Sequence, residues 1–470
     1  MSSLRPLPSP RPRPIRRVLI ANRGEIAVRI IRTCRQLNIE TVLAASTADL
    51  DSVPAKLADR TVCIGPPRPG ESYLKVETIV HAAKGTQSDA IHPGYGFLSE
   101  RAALASLCEA NDVTFIGPTA VQIEAVGDKL RARSEAEAAN VPVVPGGAVG
   151  SVDEAMALAR KTGTPLLVKA VGGGGGRGMK RVDRLDDLPD TMELAAAEAG
   201  AAFGDARVYL ERYVESGRHV EVQVLGDGNG RVIHLGERDC SVQRRYQKLV
   251  EETPAPGLSD SLRNALHAAA VRFAERLSYR GAGTVEFLVD RERDTFYFLE
   301  MNARIQVEHP VTEAITGVDL IAEQIAIAEG QGLRLSQNDI RVNGCAIECR
   351  VNAEDPAQDF RPSPGLVREV NWPAGEGIRV DTHIASGSRV PPFYDSLMAK
   401  IIAHAPDRAS ALARLRQAIS STRLAGVHTN LAFHERVLAD AEFQTGGFDT
   451  GFVARLLERS AVPVERLSDG

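Results

Sequence analysis

The chain has 470 residues, 43% of them hydrophobic and 25% charged, a globular composition with room for about two to four domains. Its 56 basic and 61 acidic residues leave a net charge of −5, so nothing calls for nucleic acid or an anionic membrane as a partner. No apolar run reaches the roughly 18 residues of a membrane span.

Residues 2–17 are rich in Arg and Pro and contain no acid. Pro6, Pro8, Pro10, Pro12 and Pro14 forbid the amphipathic helix of an organelle transit peptide, and no hydrophobic signal core follows. Residues 1–15 are therefore expected to form a disordered, polyproline-like tail. Arg17-Val-Leu-Ile-Ala21 then reads as a buried strand, followed by a helical pattern over 25–37. Predicted strands at 41–45, 61–64, 90–92 and 113–116 alternate with helical segments at 73–83 and 101–111. This alternation implies an α/β domain with a parallel sheet over residues 16–128.

Helices are predicted at 129–140 and 152–161. The second opens on Ser151-x-x-Glu154, a capping box, with Val152, Ala155, Met156 and Ala159 at helical spacing. A strand at 165–171, a glycine run, a helix at 188–197 and a strand at 207–214 complete a small α+β unit, about 140–216, that looks like a lid. The remainder reads mainly as antiparallel strands, with helices at 259–277, 319–328 and 409–419. The six cysteines show no Cys-x-x-Cys pair and no zinc spacing with the ten histidines, and Cys345 and Cys349 share one predicted strand. Reduced core cysteines in a cytoplasmic protein fit this usage.

The strongest chemical signal lies in Thr295-Phe-Tyr-Phe-Leu-Glu300-Met-Asn302-Ala-Arg304-Ile-Gln306-Val-Glu308-His-Pro310. Strand alternation puts Phe296, Phe298, Glu300, Asn302 and Arg304 on one face if the extension persists. Upstream, 283–289 reads as a second strand, and a hairpin between the two sets Glu286 opposite Glu300. Like charges are normally avoided there. A divalent cation removes the conflict, because Mg²⁺ prefers hard oxygen ligands.

Lys169-Ala-Val-Gly172-Gly-Gly-Gly-Gly176-Arg177-Gly178-Met-Lys180 is the second signal. Consecutive glycines bring backbone N–H groups close to a ligand, yet the run matches neither a dinucleotide fingerprint nor a P-loop. It reads as a mobile flap over phosphates. Lys169 before it and Lys129 at a helix start place ammonium groups where phosphate oxygens would satisfy them. Glu211-Arg-Tyr-Val214 ends the strand after the flap and suits a purine edge or a domain crossing. Cations in Glu237–Lys248 crowd an acidic region. Glu308 suits a general base if desolvated. Arg350 lies in a hydrophobic strand, so its partner is either an internal carboxylate or a substrate oxyanion.

These motifs resemble biotin carboxylase, the ATP-grasp subunit of acetyl-CoA carboxylase and related acyl-CoA carboxylases. The resemblance rests on Ile20-Ala-Asn-Arg-Gly-Glu-Ile-Ala27, His92-Pro-Gly-Tyr-Gly-Phe-Leu-Ser-Glu100, the glycine flap, Glu237-Arg-Asp-Cys-Ser241, Glu300–Pro310 and Glu348-Cys-Arg-Val-Asn-Ala-Glu-Asp355, and it runs from about residue 16 to 451. It implies an ATP-grasp fold of mixed α/β and α+β class: an N-terminal parallel-sheet domain, an ATP-grasp region over 129–330 with its lid, and a mixed or antiparallel C-terminal domain over 331–470. It implies ATP-dependent phosphorylation of bicarbonate to carboxyphosphate, which releases CO₂ to the ureido nitrogen of biotin, with Mg²⁺ or Mn²⁺ as the metal. Carried over, Lys129, Lys169, Gly174, Gly175, Gly176, Gly178, Met179, Glu211, Arg212, Val214, His219, Gln243 and Tyr246 look like ATP contacts. Glu286, Glu300 and Asn302 look like metal ligands, the first two also bordering the nucleotide.

Lys248, Arg304, Gln306 and the Val307 backbone look like the bicarbonate pocket, with Glu308 similar to the base and Arg350 to the group that stabilises the biotin enolate. Three positions depart from the family pattern: Tyr246 for a usual histidine, Arg212 for lysine, Ala303 for threonine. The Ala/Val-Met-Lys-Met motif that carries biotin is absent, and Leu397-Met-Ala-Lys400 is not that motif. Biotin is therefore expected on a separate carrier protein, with a carboxyltransferase subunit completing the system and a homodimer as the assembly. Two other readings are a different ATP-grasp carboxylate-activating ligase and a non-catalytic ATP-sensing subunit.

Overall fold

Val18, Leu19 and Ile20 offer water no polar face, so their strand belongs inside a sheet covered on both sides. A computed structural model describes residues 13–172 and 178–461. In it Arg17–Ile20 is the central strand of a five-stranded parallel sheet, in the order Arg60–Cys63, Glu40–Ala45, Arg17–Ile20, Ala90–His92, Thr114–Phe115. Helices Gly24–Gln36, Val76–Gly85 and Ala102–Ala110 flank it. Residues 13–15, expected from the sequence to lie in the tail, make defined contacts. Ile15 is buried in the core, the Arg13 N–H donates to the Glu329 carbonyl, and the Arg13 guanidinium meets Asp112 at 2.7 Å. Residues 1–12 lie outside the described residues.

The lid is a four-stranded antiparallel sheet in the order Gly146–Ala148, Val208–Arg212, Leu166–Ala170, Met179–Val182. Helices Val152–Thr162 and Leu188–Phe203 cover it, and Ala155, Ala159, Leu166, Val168, Leu188 and Leu210 form a core of its own. Ser151 caps its helix by accepting from the Glu154 N–H, but the Glu154 carboxylate accepts from Gly150. The capping box is thus only half made.

The largest sheet has eight strands, in the order Thr295–Asn302, Arg280–Asp290, Gly217–Asp227, Val232–Arg244, Gln247–Thr253, Cys345–Asn352, Leu397–Ala405, Ile378–Thr382. Its pairings are antiparallel. It runs straight across residue 330, so a boundary there divides the chain without dividing the sheet. His219-Val-Glu-Val-Gln-Val224 shows the pattern that builds it. Val220, Val222 and Val224 enter the core shared with helix Asp260–Arg276, while His219, Glu221 and Gln223 take the other face. That other face is the floor of the site. A second core gathers beyond it around helices Arg408–Ser421, Leu431–Ala439 and Phe452–Ala461.

Candidate active site

Strands Arg280–Asp290 and Thr295–Asn302 form the expected hairpin, and Glu286 stands directly opposite Glu300. The single-face reading of 296–304 is overturned. Glu286 pairs with Glu300 but Phe287 pairs with Phe298, which leaves Leu299 as an extra residue in a bulge. The bulge reverses the alternation. Phe298 turns inward against Phe273, with ring centroids 4.7 Å apart, and Phe296 packs on Phe287 at 5.3 Å. Glu300 and Asn302 turn the other way, onto the face that carries Glu286. The strand ends at Asn302, so Arg304 belongs to the following turn.

Lys248 lies at the centre of that face. Its ammonium donates to Glu221 at 2.6 Å, Glu286 at 3.0 Å and Glu308 at 2.6 Å. Glu221 also receives the Arg238 guanidinium at 2.6 Å, and both side chains are fully buried. Arg238 donates onward to Gln223, Thr284, Gln306 and Thr312, which locks four elements together. Burial pushes the Glu286 carboxyl up, but Lys248 and His219 outweigh it and hold it well below the usual range. His219 lies 3.0 Å from Glu286, which lifts its imidazole above the ordinary value despite burial.

The turn after the hairpin supplies the remaining groups. The Asn302 and Gln306 amides donate to Glu286 at 2.8 and 3.0 Å. Arg304 donates to Glu100 and to the Asn302 side-chain oxygen, both at 2.9 Å, and the Val307 carbonyl accepts from Lys400 at 2.7 Å. Glu308 precedes helix His309–Thr316, whose first turn contains Pro310. Its carboxylate is only 2% exposed and lies between Lys248 and Arg350, 2.9 Å from the latter. Burial alone would raise Glu308. Lys248, Arg350 and Arg238 overcome it and keep the carboxylate ionised. Arg350 has internal partners, since its Nε donates to Glu251 at 2.6 Å and its Nη2 to Glu308. Glu251 stands opposite Glu348 across the strand pair, both fully buried, and neither Glu348 oxygen has a hydrogen-bond partner. Burial pushes Glu251 up to about 7 and Glu348 well above the carboxylate range.

The lid side holds the other predicted residues. Lys129 begins helix Lys129–Ala138 and lies 3.3 Å from Glu300, which supplies the negative charge that its position requires. Lys169 is buried beside Glu211 at 2.7 Å. Met179 pairs with Lys169 across the lid strands, and Gly178 takes φ +75°, a conformation that suits glycine. Gly174, Gly175 and Gly176 lie outside the described residues. The Arg212 side chain points to the Tyr297 hydroxyl at 2.9 Å, and Val214 is buried. Gln243 pairs with Lys248 in the hairpin whose tip is Arg245-Tyr246. Both tip residues have positive φ, the signature of a two-residue type I′ turn, and Tyr246 is 54% exposed. Arg244 and Arg245 both pair with Asp359.

Glu286, Glu300 and Asn302 present oxygen donors from one hairpin face, a set that fits a hard divalent cation. A second group, His219, Glu221 and Glu286, also clusters within ligand reach of one point. Sequence reasoning missed Glu221, Arg238, Glu251 and Lys400. The alternation of residues 219–224 carried the signal for Glu221. Arg238 lay within the cation-rich segment 237–248 but was not singled out, and nothing local marked Glu251 or Lys400, whose partners lie on segments distant in sequence.

Three protein families match the chain. Biotin carboxylase, N-terminal domain, covers residues 14–123; carbamoyl-phosphate synthase L chain, ATP binding domain, covers 128–336; biotin carboxylase C-terminal domain covers 348–455. The sequence is 49% identical to a biotin carboxylase of Nostoc sp. over 442 residues, 94% of this chain and 99% of that one. The fold is similar to a biotin carboxylase–β-γ-ATP complex from Campylobacter jejuni, with TM-score 0.91, 43% identity, and coverage of 94% and 99% of the two chains. It is also similar to the biotin carboxylase domain dimer of the Hydrogenobacter thermophilus 2-oxoglutarate carboxylase, solved with MgADP, ADP and bicarbonate. That match has TM-score 0.90 at 45% identity, covering 94% and 98%.

Proposed function

The chain belongs to the biotin carboxylase family, and on that premise we propose that it carboxylates biotin with ATP and bicarbonate, the first half-reaction of an acyl-CoA carboxylase. The observation that carries this reading is an ionised, buried Glu308 held between Lys248 and Arg350, with Arg304 and Gln306 in the same turn. A buried carboxylate flanked by cations suits removal of a proton from an anion that those cations bind. Lys248, Arg304, Gln306 and the Val307 backbone receive bicarbonate, and Glu308 takes its proton. The resulting oxyanion attacks the γ-phosphorus of ATP, which gives carboxyphosphate and ADP. Carboxyphosphate then breaks into CO₂ and inorganic phosphate; the phosphate takes the ureido N–H proton of biotin, Arg350 meets the negative oxygen of the resulting enolate, and the nitrogen bonds to CO₂.

Lys129, Lys169, Gly174, Gly175, Gly176, Gly178, Met179, Glu211, Arg212, Val214, His219, Gln243 and Tyr246 border the nucleotide in this reading. Glu286, Glu300 and Asn302 would hold Mg²⁺ or Mn²⁺, which when bound supplies positive charge to the transferring phosphate. The flanking biotin carboxylase matches, at 14–123 and 348–455, favour this activity over a carbamoyl-phosphate-type ligase.

Biotin arrives on a separate carrier protein and passes to a carboxyltransferase subunit. The dimeric Hydrogenobacter relative supports a homodimer. The six unpaired cysteines support a reducing, cytoplasmic setting, and no helix among the described residues is long and apolar enough to cross a membrane. ADP release with bicarbonate and free biotin omitted in turn tests the assignment. Release should require bicarbonate and be accelerated by biotin; indifference to both would reject it.

A further inference from the structure

Lys400, in strand Leu397–Ala405, is fully buried and reaches no open surface. Its ammonium donates to the Val307 carbonyl at 2.7 Å and lies 3.0 Å from Glu25, a carboxylate on helix Gly24–Gln36 of the N-terminal layer. Glu25 is itself buried and accepts from the Tyr95 hydroxyl. Three sequence motifs far apart in the chain therefore meet behind the turn that carries Gln306 and Glu308. Other charged groups also face Lys400. Asp381 stands opposite it but is taken by Arg379, at 3.0 and 2.6 Å. Arg350 opposes it on the other side, Glu348 lies on the same neighbouring strand, and His309 follows the turn.

A buried ammonium is expensive, and a methionine of similar length would fill the space without that penalty. What the charge adds is a firm donor to one carbonyl. That carbonyl belongs to the residue between Gln306 and Glu308, so its direction sets where both side chains point. A shift of about 1 Å in such a group is enough to lower a rate by roughly 10²-fold.

We propose that Lys400 is a positioning residue that fixes the catalytic turn through the Val307 carbonyl, with Glu25 as the counter-charge that makes the N-terminal layer part of that support. The proposal rests on the biotin carboxylase reading given above. It is tested on the full chain with Lys400→Met, Lys400→Arg and Glu25→Gln, measuring thermal unfolding, ADP affinity, and kcat and KM for bicarbonate. Folded Lys400→Met should lose about 30-fold or more in kcat or gain at least tenfold in bicarbonate KM, while ADP affinity stays within about twofold. Lys400→Arg should recover part of the loss. Wild-type kinetics in folded Lys400→Met, or loss of ADP affinity in step with activity, would overturn the proposal. If Lys400→Met does not fold, Glu25→Gln decides in the same way: a bicarbonate defect with ADP affinity retained supports it, and unchanged constants reject it. A wild-type protein that shows no bicarbonate-dependent ADP release would instead remove the underlying reading.

Discussion

Lys248 sits among three glutamates on an eight-stranded sheet, whereas Lys169 pairs with Glu211 on a four-stranded lid with its own small core. Around Lys248 the partners come from two strands and a turn, and Arg238 ties Glu221 to that turn through Gln306. Each carboxylate there also has a second cationic partner, Arg238 for Glu221, His219 for Glu286 and Arg350 for Glu308, so the cluster is braced from several sides. Around Lys169 the partner is on the adjacent lid strand, and the glycine run begins a few residues away. An incoming phosphate there competes with one carboxylate rather than three. The pocket proposed for bicarbonate is thus built in advance, whereas on the lid Lys169, proposed to meet nucleotide, has a single carboxylate partner to exchange.

The sharpest way to break this contrast is Lys248→Met. Bicarbonate-dependent ADP release should fall by roughly 10²–10³-fold, as for loss of one preorganised charge contact. The acid limb of kcat/KM should also move to higher pH. Lys248 is one of the cations that hold Glu308 low, so its removal raises that carboxyl and the base becomes protonated earlier as pH falls. A pH–rate profile with an unmoved acid limb would separate Lys248 from Glu308.

Lys169→Met sharpens the comparison from the lid side. The ATP KM should rise by roughly tenfold, the worth of one charged hydrogen bond, while the bicarbonate KM stays within about twofold. Equal changes in both constants would show that lid and sheet act as one unit.

The smallest effect is expected behind Arg350. Glu348 has a raised carboxyl pKa because of burial, so above the ordinary carboxylate range the unfolded chain releases a proton that the folded chain retains. Stability contributed by that group therefore declines as pH rises from about 4.5 toward its folded value. Glu348→Gln should remove the penalty and raise Tm by roughly 2–4 °C at pH 8, with no gain near pH 4.5. Calorimetric scans at both pH values check the sign; a lower Tm at pH 8 would mean that Glu348 is a needed anion.

The same two regions explain what was legible in the sequence. The alternation of strands and helices over 17–116 revealed the parallel sheet, and paired hydrophobic runs revealed the Glu286–Glu300 hairpin, because both patterns are local. The bulge at Leu299 left no local mark, and it decides which side chains enter the site. Glu221 was readable in residues 219–224, where every second residue is polar. Glu251 and Lys400 were not, since their meaning depends on pairing with Glu348 and Arg350 in strands brought together by the fold. Glu308 was legible as a candidate base from the sequence itself, whereas the bicarbonate role of Lys248 and Arg304 came through family resemblance; the distances between side chains come from the structure alone.

The central claim is that Glu308 removes the bicarbonate proton on the way to carboxybiotin. Transfer of label from ¹⁴C-bicarbonate to free biotin, measured for the wild-type chain and for Glu308→Gln at matched ADP affinity, tests it most directly. Acid-labile label on biotin with the wild type and a loss of about 10²–10⁴-fold in the variant is the predicted result. Equal labelling by both proteins would contradict it.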